Sequence, residues 1–304
     1  MHHDQGGRPD ADVQITEQLV RNLLVQQHSQ LAELPLTWVE AGWDNVVFRL
    51  GESLAVRLPR RKSAHALLLN EVRWLPFLAP RLPVAVPGVL HRGKPGLGYP
   101  YHWAVVPWFA GQSAALVDVG KRDDLVPELA GFFRSLHVPA PSDAPKNLLR
   151  GVPLQTRNVV LRQRLERYLG PGKMELIRVW ENALEAKAYV GPRLWLHGDL
   201  HPHNVVVTPE SLREKLRLAA VIDFGDLTAG DPAGDLASGW LFFGAAGLQE
   251  FRVITGANAL YDAGIWDRAR GWALSYSLLM AGLEEDDPLH EVGVRSIDML
   301  RKGV

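Results

Sequence analysis

The segment Leu194-Trp-Leu-His-Gly-Asp-Leu-His-Pro-His-Asn-Val-Val-Val207 places a carboxylate, Asp199, and an amide, Asn204, five residues apart in a loop between apolar runs. A second carboxylate, Asp223, closes another apolar run in Leu218-Ala-Ala-Val-Ile-Asp-Phe-Gly-Asp226. These residue types suit phosphoryl transfer. One carboxylate orients a hydroxyl, while an amide oxygen and a second carboxylate hold Mg²⁺ on nucleotide phosphates. Any one of the three is an ordinary turn residue, and the chemistry comes from the whole set lying between strands.

Two neighbouring features bear on the same loop. Asp231-Pro-Ala-Gly-Asp-Leu-Ala237 puts Asp235 at the start of a helix, where a buried carboxylate would accept backbone N–H bonds and stiffen the loop; the plainer reading of Asp231 or Asp235 is a helix N-cap. His197, His201 and His203 raise zinc as a rival, but their spacing lacks the helical i,i+4 pair and no further ligand cluster accompanies them. His197 is expected to pack beside the loop, with His201 and His203 at its surface or rim.

The elements that must position these groups change character along the chain. Three β-forming runs, 36–41, 46–50 and 54–58, are separated by Gly42-Trp-Asp-Asn45 and Gly51-Glu-Ser53, which read as tight turns between antiparallel strands. Helical spacing holds from Ser63 to about Leu78, and 101–108 reads as a further strand. Beyond Phe109-Ala-Gly111 helical patterns dominate, broken by a proline-rich connection from Pro139 to Pro153 and by short strands around the opening motif. Strands first and helices second predict an α+β protein rather than a repeated βαβ sheet.

Composition narrows the partners. The 304 residues carry 33 basic and 34 acidic side chains, so no overall field recruits nucleic acid or an anionic membrane. The absence of cysteine excludes disulfides, thiolate metal sites and a cysteine nucleophile. No run is long and apolar enough to span a bilayer, and the polar start Met1-His-His-Asp-Gln-Gly-Gly-Arg-Pro-Asp10 has no signal-peptide core. A cytoplasmic monomer or homodimer is the expectation.

Taken together, His197-Gly-Asp-Leu-His-Pro-His-Asn204, Ile222-Asp-Phe-Gly-Asp226 and Asp231-Pro-Ala-Gly-Asp-Leu-Ala237 resemble the motifs of the aminoglycoside phosphotransferase family, within the protein-kinase-like fold. The resemblance implies a bilobal α+β architecture: an N-terminal nucleotide-binding lobe over 1–106 built on an antiparallel sheet, a hinge at 107–111, and a larger helical lobe over 112–304 holding the acceptor. It implies Asp199 as the catalytic carboxylate, with Asn204 and Asp223 as Mg²⁺ ligands. It also implies a basic residue on the third strand, gripping the α/β-phosphates of ATP or GTP and held by a helical glutamate. Arg57 occupies that strand position in place of the usual lysine, and Glu71 follows 14 residues later. Arg57 could instead be an exposed strand residue, with Arg60, Arg61 or Lys62 taking the phosphates.

By the same resemblance, backbone groups of Trp43, Asp44 and Asn45 cover the β/γ-phosphates, and the base docks on the Pro107 carbonyl and the Phe109 N–H. For the acceptor, Glu284-Glu-Asp-Asp287, Asp262 and Asp267 offer the negative charge that a polycation requires, although charge runs are commonly solvated faces. The function so implied is transfer of the γ-phosphate from a nucleoside triphosphate to an alcohol on a small molecule, an aminoglycoside or macrolide foremost. Choline, a sugar or an amino-alcohol are the metabolic alternatives. A nucleotide-binding regulatory module without transfer is the rival from another class, prompted by Arg57.

Overall fold

A computed structural model of the chain describes residues 10–209 and 215–304. It divides into two compact units. One takes in Arg8–Gly111 with Ala219–Gly225; the other takes in Gln112–Leu218 with Asp226–Val304.

The smaller unit is a five-stranded antiparallel sheet flanked by two helices. Helix α1 (Glu17–Gln27), capped by the Thr16 side chain, precedes β1 (Leu36–Ala41), β2 (Asn45–Leu50) and β3 (Leu54–Pro59). Helix α2 (Lys62–Leu78), β4 (His91–Gly93) and β5 (Trp103–Pro107) complete it, in strand order β1-β2-β3-β5-β4. Side chains of a strand alternate between faces, and the two faces are filled differently. Phe48, Leu50, Val56, Leu58, Trp103 and Val105 pack with Val20, Leu23 and Leu24 of α1. Ala55, Ala104 and Val106 pack with Leu68 of α2. Arg57 shares the face of Ala55 and stands between Val47 and Ala104 in register. On α2 the buried positions Ala64, Leu68, Glu71, Leu75 and Leu78 recur at spacings of three and four, so Glu71 falls on the core stripe. The short segment 219–225 joins this unit through Val221 N, which donates to Ala85 O at 3.0 Å.

The larger unit is mainly helical. Strand β6 (Gln112–Ser113) leads through α3 (Val119–Arg122) to α4 (Val126–Leu136), α5 (Asn158–Arg167) and α6 (Lys173–Glu185). Strands β7 (Leu194–Leu196), β8 (Val205–Pro209), β9 (Leu216–Val221) and β10 (Thr228–Gly230) bracket the motif loops. Helices α7 (Ala233–Leu236), α8 (Ser238–Phe242), α9 (Ala245–Gly256), α10 (Ile265–Met280) and α11 (Pro288–Arg301) follow. Helix α10 is buried along most of its length, polar Arg268, Ser275 and Ser277 included, with α6, α7 and α11 packed on it. Most aromatic residues of this tail, among them Trp240, Phe242, Phe243 and Trp272, belong to the core.

Candidate active site

The loop carrying Asp199 hangs from a two-stranded ribbon. Strand β7 pairs antiparallel with β10 through Trp195↔Ala229, so the chain enters the loop from a fixed ladder. It turns at Gly198, whose φ of +87° lies in the left-handed region. A Cβ at Gly198 would sit 2.4 Å from Asp226 O, so only glycine fits. Asp235, buried on α7, accepts from His197 N at 2.8 Å and from Gly198 N at 2.9 Å, one carboxylate oxygen each. His137 Nε2 lies 3.1 Å from the same carboxylate, and its Nδ1 bonds the Tyr261 hydroxyl. Asp235 therefore clamps the loop backbone, as its motif suggested. Asp231 accepts from Ala233 N at 3.1 Å as an N-terminal cap does, and is also held by the Arg268 guanidinium at 2.7 Å.

Asp199 presents its carboxylate with about a third of the side chain exposed, 34%. Arg150 donates to Oδ1 at 2.7 Å, and His201 Nε2 lies 3.6 Å from Oδ2. Burial works against ionisation of Asp199, but Arg150 and then His201 outweigh it and hold the carboxyl well below its usual range. Asn204, in a single 3₁₀ turn over Pro202–Asn204, donates from Nδ2 to Asp199 O at 2.9 Å. His201 is buried rather than at the rim, because its ring fills the space between Asn204 Nδ2, at 3.2 Å, and the Asp199 carboxylate. His203 is half-buried, its Nε2 3.0 Å from Pro288 O. Among the described residues no three His, Asp or Glu side chains converge as a metal site of their own.

The smaller unit brings together Arg57, Glu71 and Asp223. Arg57 donates from its two terminal nitrogens to Glu71 Oε2 at 2.7 Å and Oε1 at 3.1 Å, a planar fork. Its guanidinium also lies 3.6 Å from Asp223 Oδ1. Arg57 is buried, not an exposed strand residue. Burial opposes its charge, yet Glu71 and Asp223 more than compensate and push its pKa up. For Glu71 burial is the larger influence and raises the carboxyl, against the pull of Arg57. Asp223 takes φ +61°, a left-handed backbone that a non-glycine residue adopts sparingly, and half its side chain, 51%, is exposed.

Trp43 and Asp44 lie in the β1–β2 turn, and Asn45 opens β2, with Gly42 N donating to Asn45 O at 2.8 Å. Two of the three alternative cations are committed to this turn: Arg60 donates to Gly42 O at 2.7 Å and Arg61 to Asp44 Oδ1 at 2.7 Å. That leaves Arg57, not Arg60 or Arg61, between the two carboxylates. Pro107 ends β5 opposite Leu54; Trp108 N is used by Ser53 O at 2.7 Å, and Phe109 follows half-buried. In the tail, Asp262 is held by Arg268 at 2.9 Å, Asp267 is exposed in the first turn of α10, and Asp287 caps α11 beside the exposed Glu284, Glu285 and Asp286.

Arg150 and Asn147 belong to the site although no motif marks them. They lie in the proline-rich connection, whose lack of periodicity reads as a linker. Asn147 donates to Asp226 Oδ1 at 2.7 Å, and its own oxygen accepts from Leu149 N and Arg150 N. The one available signal was a basic residue beside a glycine in a stretch with few other charges.

Comparison with known proteins identifies the family and the fold. The family model described as "Phosphotransferase enzyme family" matches residues 36–272. A search of curated proteins by sequence finds no match. Among solved structures, the GDP complex of aminoglycoside 2′-phosphotransferase-IIIa superposes with a TM-score of 0.68 at 18% identity, covering 95% of this chain and 99% of that one. The macrolide 2′-phosphotransferase MphH from Brachybacterium faecium gives 0.61 at 21% identity, with coverages of 92% and 97%. A streptomycin–ATP–APH(2″)-IIa ternary complex gives 0.57 at 19%, with coverages of 95% and 97%. At these identities the likeness is one of fold.

Proposed function

The chain belongs to that phosphotransferase enzyme family, and from this premise we propose that it moves the γ-phosphate of ATP or GTP to an alcohol hydroxyl of a small molecule. The observation that carries the reading is the Asp199 carboxylate. It is ionised and partly exposed, and it is held on a backbone that Asp235 clamps through two N–H bonds. A carboxylate so fixed orients a hydroxyl without having to be ordered during the reaction.

The remaining roles follow from donor chemistry. Arg57, forked onto Glu71, grips the α/β-phosphates; its planar guanidinium does in two directions what an ammonium does as a point charge. Asp223 offers carboxylate oxygens. Asn204 uses its amide nitrogen within the loop, which leaves its oxygen for a cation. Hard oxygen donors of this kind suit Mg²⁺, which when bound neutralises charge on the phosphates. Trp43, Asp44 and Asn45 cover the phosphates, and the base docks at Pro107 O and Phe109 N.

The acceptor is an antibiotic alcohol. Kanamycin or streptomycin occupies two of the similar structures, and a macrolide 2′-phosphotransferase is a third; choline, a sugar or an amino-alcohol forms the second group to be tried. Purified protein is incubated with each nucleotide and a panel of aminoglycosides, macrolides and metabolic alcohols, with mass detection of phosphorylated product. Product on an antibiotic, above the rate of nucleotide hydrolysis alone, is the expected result. Product confined to metabolic alcohols would move the assignment to metabolism, and tight nucleotide binding without any product would favour a regulatory module.

A further inference from the structure

Arg150 has no task in the reading above, yet it is the cation nearest to Asp199. Its terminal nitrogen donates to Asp199 Oδ1 at 2.7 Å, its Nε lies 3.4 Å from Asp226 Oδ2, and its Cζ stands 5.0 Å from the ring centre of Tyr276. Only 16% of the side chain is exposed. A permanent cation withdrawn from water to this degree is costly unless carboxylates compensate it, and here two do. The loop beneath it is built rather than loose. Asn147 ties it to Asp226 at 2.7 Å and accepts from Leu149 N and Arg150 N. Gly151, at φ +64°, lies so close to β10 that a Cβ on Gly230 would come within 1.9 Å of Gly151 O. No side chain can intervene, so the loop seats directly on the ribbon that launches the Asp199 loop.

We propose that Arg150 is a positioning residue for phosphoryl transfer, aiming the Asp199 carboxylate and supplying positive charge where the phosphoryl group reaches the acceptor hydroxyl. The inference rests on the phosphotransferase reading and extends it to a residue outside the three motifs. Arg150 donates to Oδ1, so the hydroxyl is taken by Oδ2, whose neighbour His201 Nε2 stands off at 3.6 Å. In the transfer the acceptor oxygen forms its bond to phosphorus as the bond to the nucleoside diphosphate breaks. The diphosphate leaves with the electron pair, and the hydroxyl proton passes to Asp199. Without Arg150, Asp199 and Asp226 would face the anionic phosphoryl group with no guanidinium between them. Lysine cannot replace it fully, since a point charge does not bridge two carboxylates.

The test compares wild type, Arg150→Ala, Arg150→Gln and Asp199→Ala in the full chain, using an acceptor that wild type phosphorylates. Both Arg150 variants should lose about 10²–10³ in kcat, the range for removing one preorganised donor, with the nucleotide KM changed less than about twofold. Guanidinium ion at low millimolar concentration, against sodium chloride at equal ionic strength, should restore Arg150→Ala saturably and leave Asp199→Ala inactive. Arg150→Gln keeps polarity and much of the volume, so it decides the matter if Arg150→Ala fails to fold. A kcat within about threefold of wild type in either folded variant overturns the proposal. So does a loss in folded Arg150→Ala that guanidinium does not relieve at any concentration the fold withstands. Absence of product from wild type on every acceptor overturns the phosphotransferase reading itself, and this inference with it.

Discussion

At the scale of single residues, the Arg57–Glu71 fork separates a grip on nucleotide from a contribution to folding. Both partners are buried, and removing one partner of a buried pair leaves an uncompensated charge, at a cost of about 3–5 kcal/mol. Arg57→Met should therefore lower stability by about that amount in denaturant unfolding. Arg57→Lys should stay folded and raise the nucleotide KM several-fold, because lysine cannot form the fork. Asp199 gives a prediction whose sign follows from its environment. Burial disfavours its charge, but Arg150 outweighs burial and the folded pKa lies below the ordinary 3.8 of an aspartate. The group's contribution to stability is thus complete above 3.8 and is lost as pH falls through the folded value. The gap in melting temperature between wild type and Arg150→Ala should narrow as pH drops below about 4, and a gap independent of pH would contradict the pairing.

At the scale of elements, the α7 carboxylate and the β7–β10 ribbon determine where Asp199 points. Asp235→Ala orphans two buried N–H groups, each costing about 1–3 kcal/mol. A loss of at least 2 kcal/mol together with lower kcat is the expected outcome by urea unfolding and steady-state assay. Much of this was legible beforehand. Asp235 stood at the head of a helix after a strand, and the only uncertainty lay between capping its own helix and reaching the loop. The three N-terminal strands were runs of β-forming residues between turn signals, and their bounds moved by at most a residue. Glu71 was within reach too, since Ala64, Leu68, Leu75 and Leu78 mark the buried stripe on which it lies. Arg150 was not legible. It owes its position to a loop seated on Gly230, a long-range contact that leaves no period in the local sequence. His201 escaped for a related reason: its burial depends on Asn204 and Asp199 closing around it, while its own neighbours are a polar loop.

At the scale of the whole molecule, Arg57, Glu71 and Asp223 belong to the smaller unit, and Asp199 and Asn204 to the larger. Nucleotide that binds only the folded chain should stabilise it by about 2.7 kcal/mol at a hundred times its Kd. Chelating Mg²⁺ should abolish transfer and most of that stabilisation, read as a fall in melting temperature with nucleotide still present. The net charge of −1 predicts that added salt alone changes turnover little when the acceptor is uncharged. No helix among the described residues is long and apolar enough to cross a membrane.

Asp199, proposed as the group that orients the hydroxyl, is central to transfer. A single-turnover experiment with the acceptor found by the panel, wild type against Asp199→Ala at saturating Mg²⁺ and nucleotide, tests it most directly. Transfer to the acceptor should fall by at least about 10²-fold, while nucleotide affinity stays within about threefold and the melting temperature is kept. Transfer at the wild-type rate in a folded Asp199→Ala variant would contradict it.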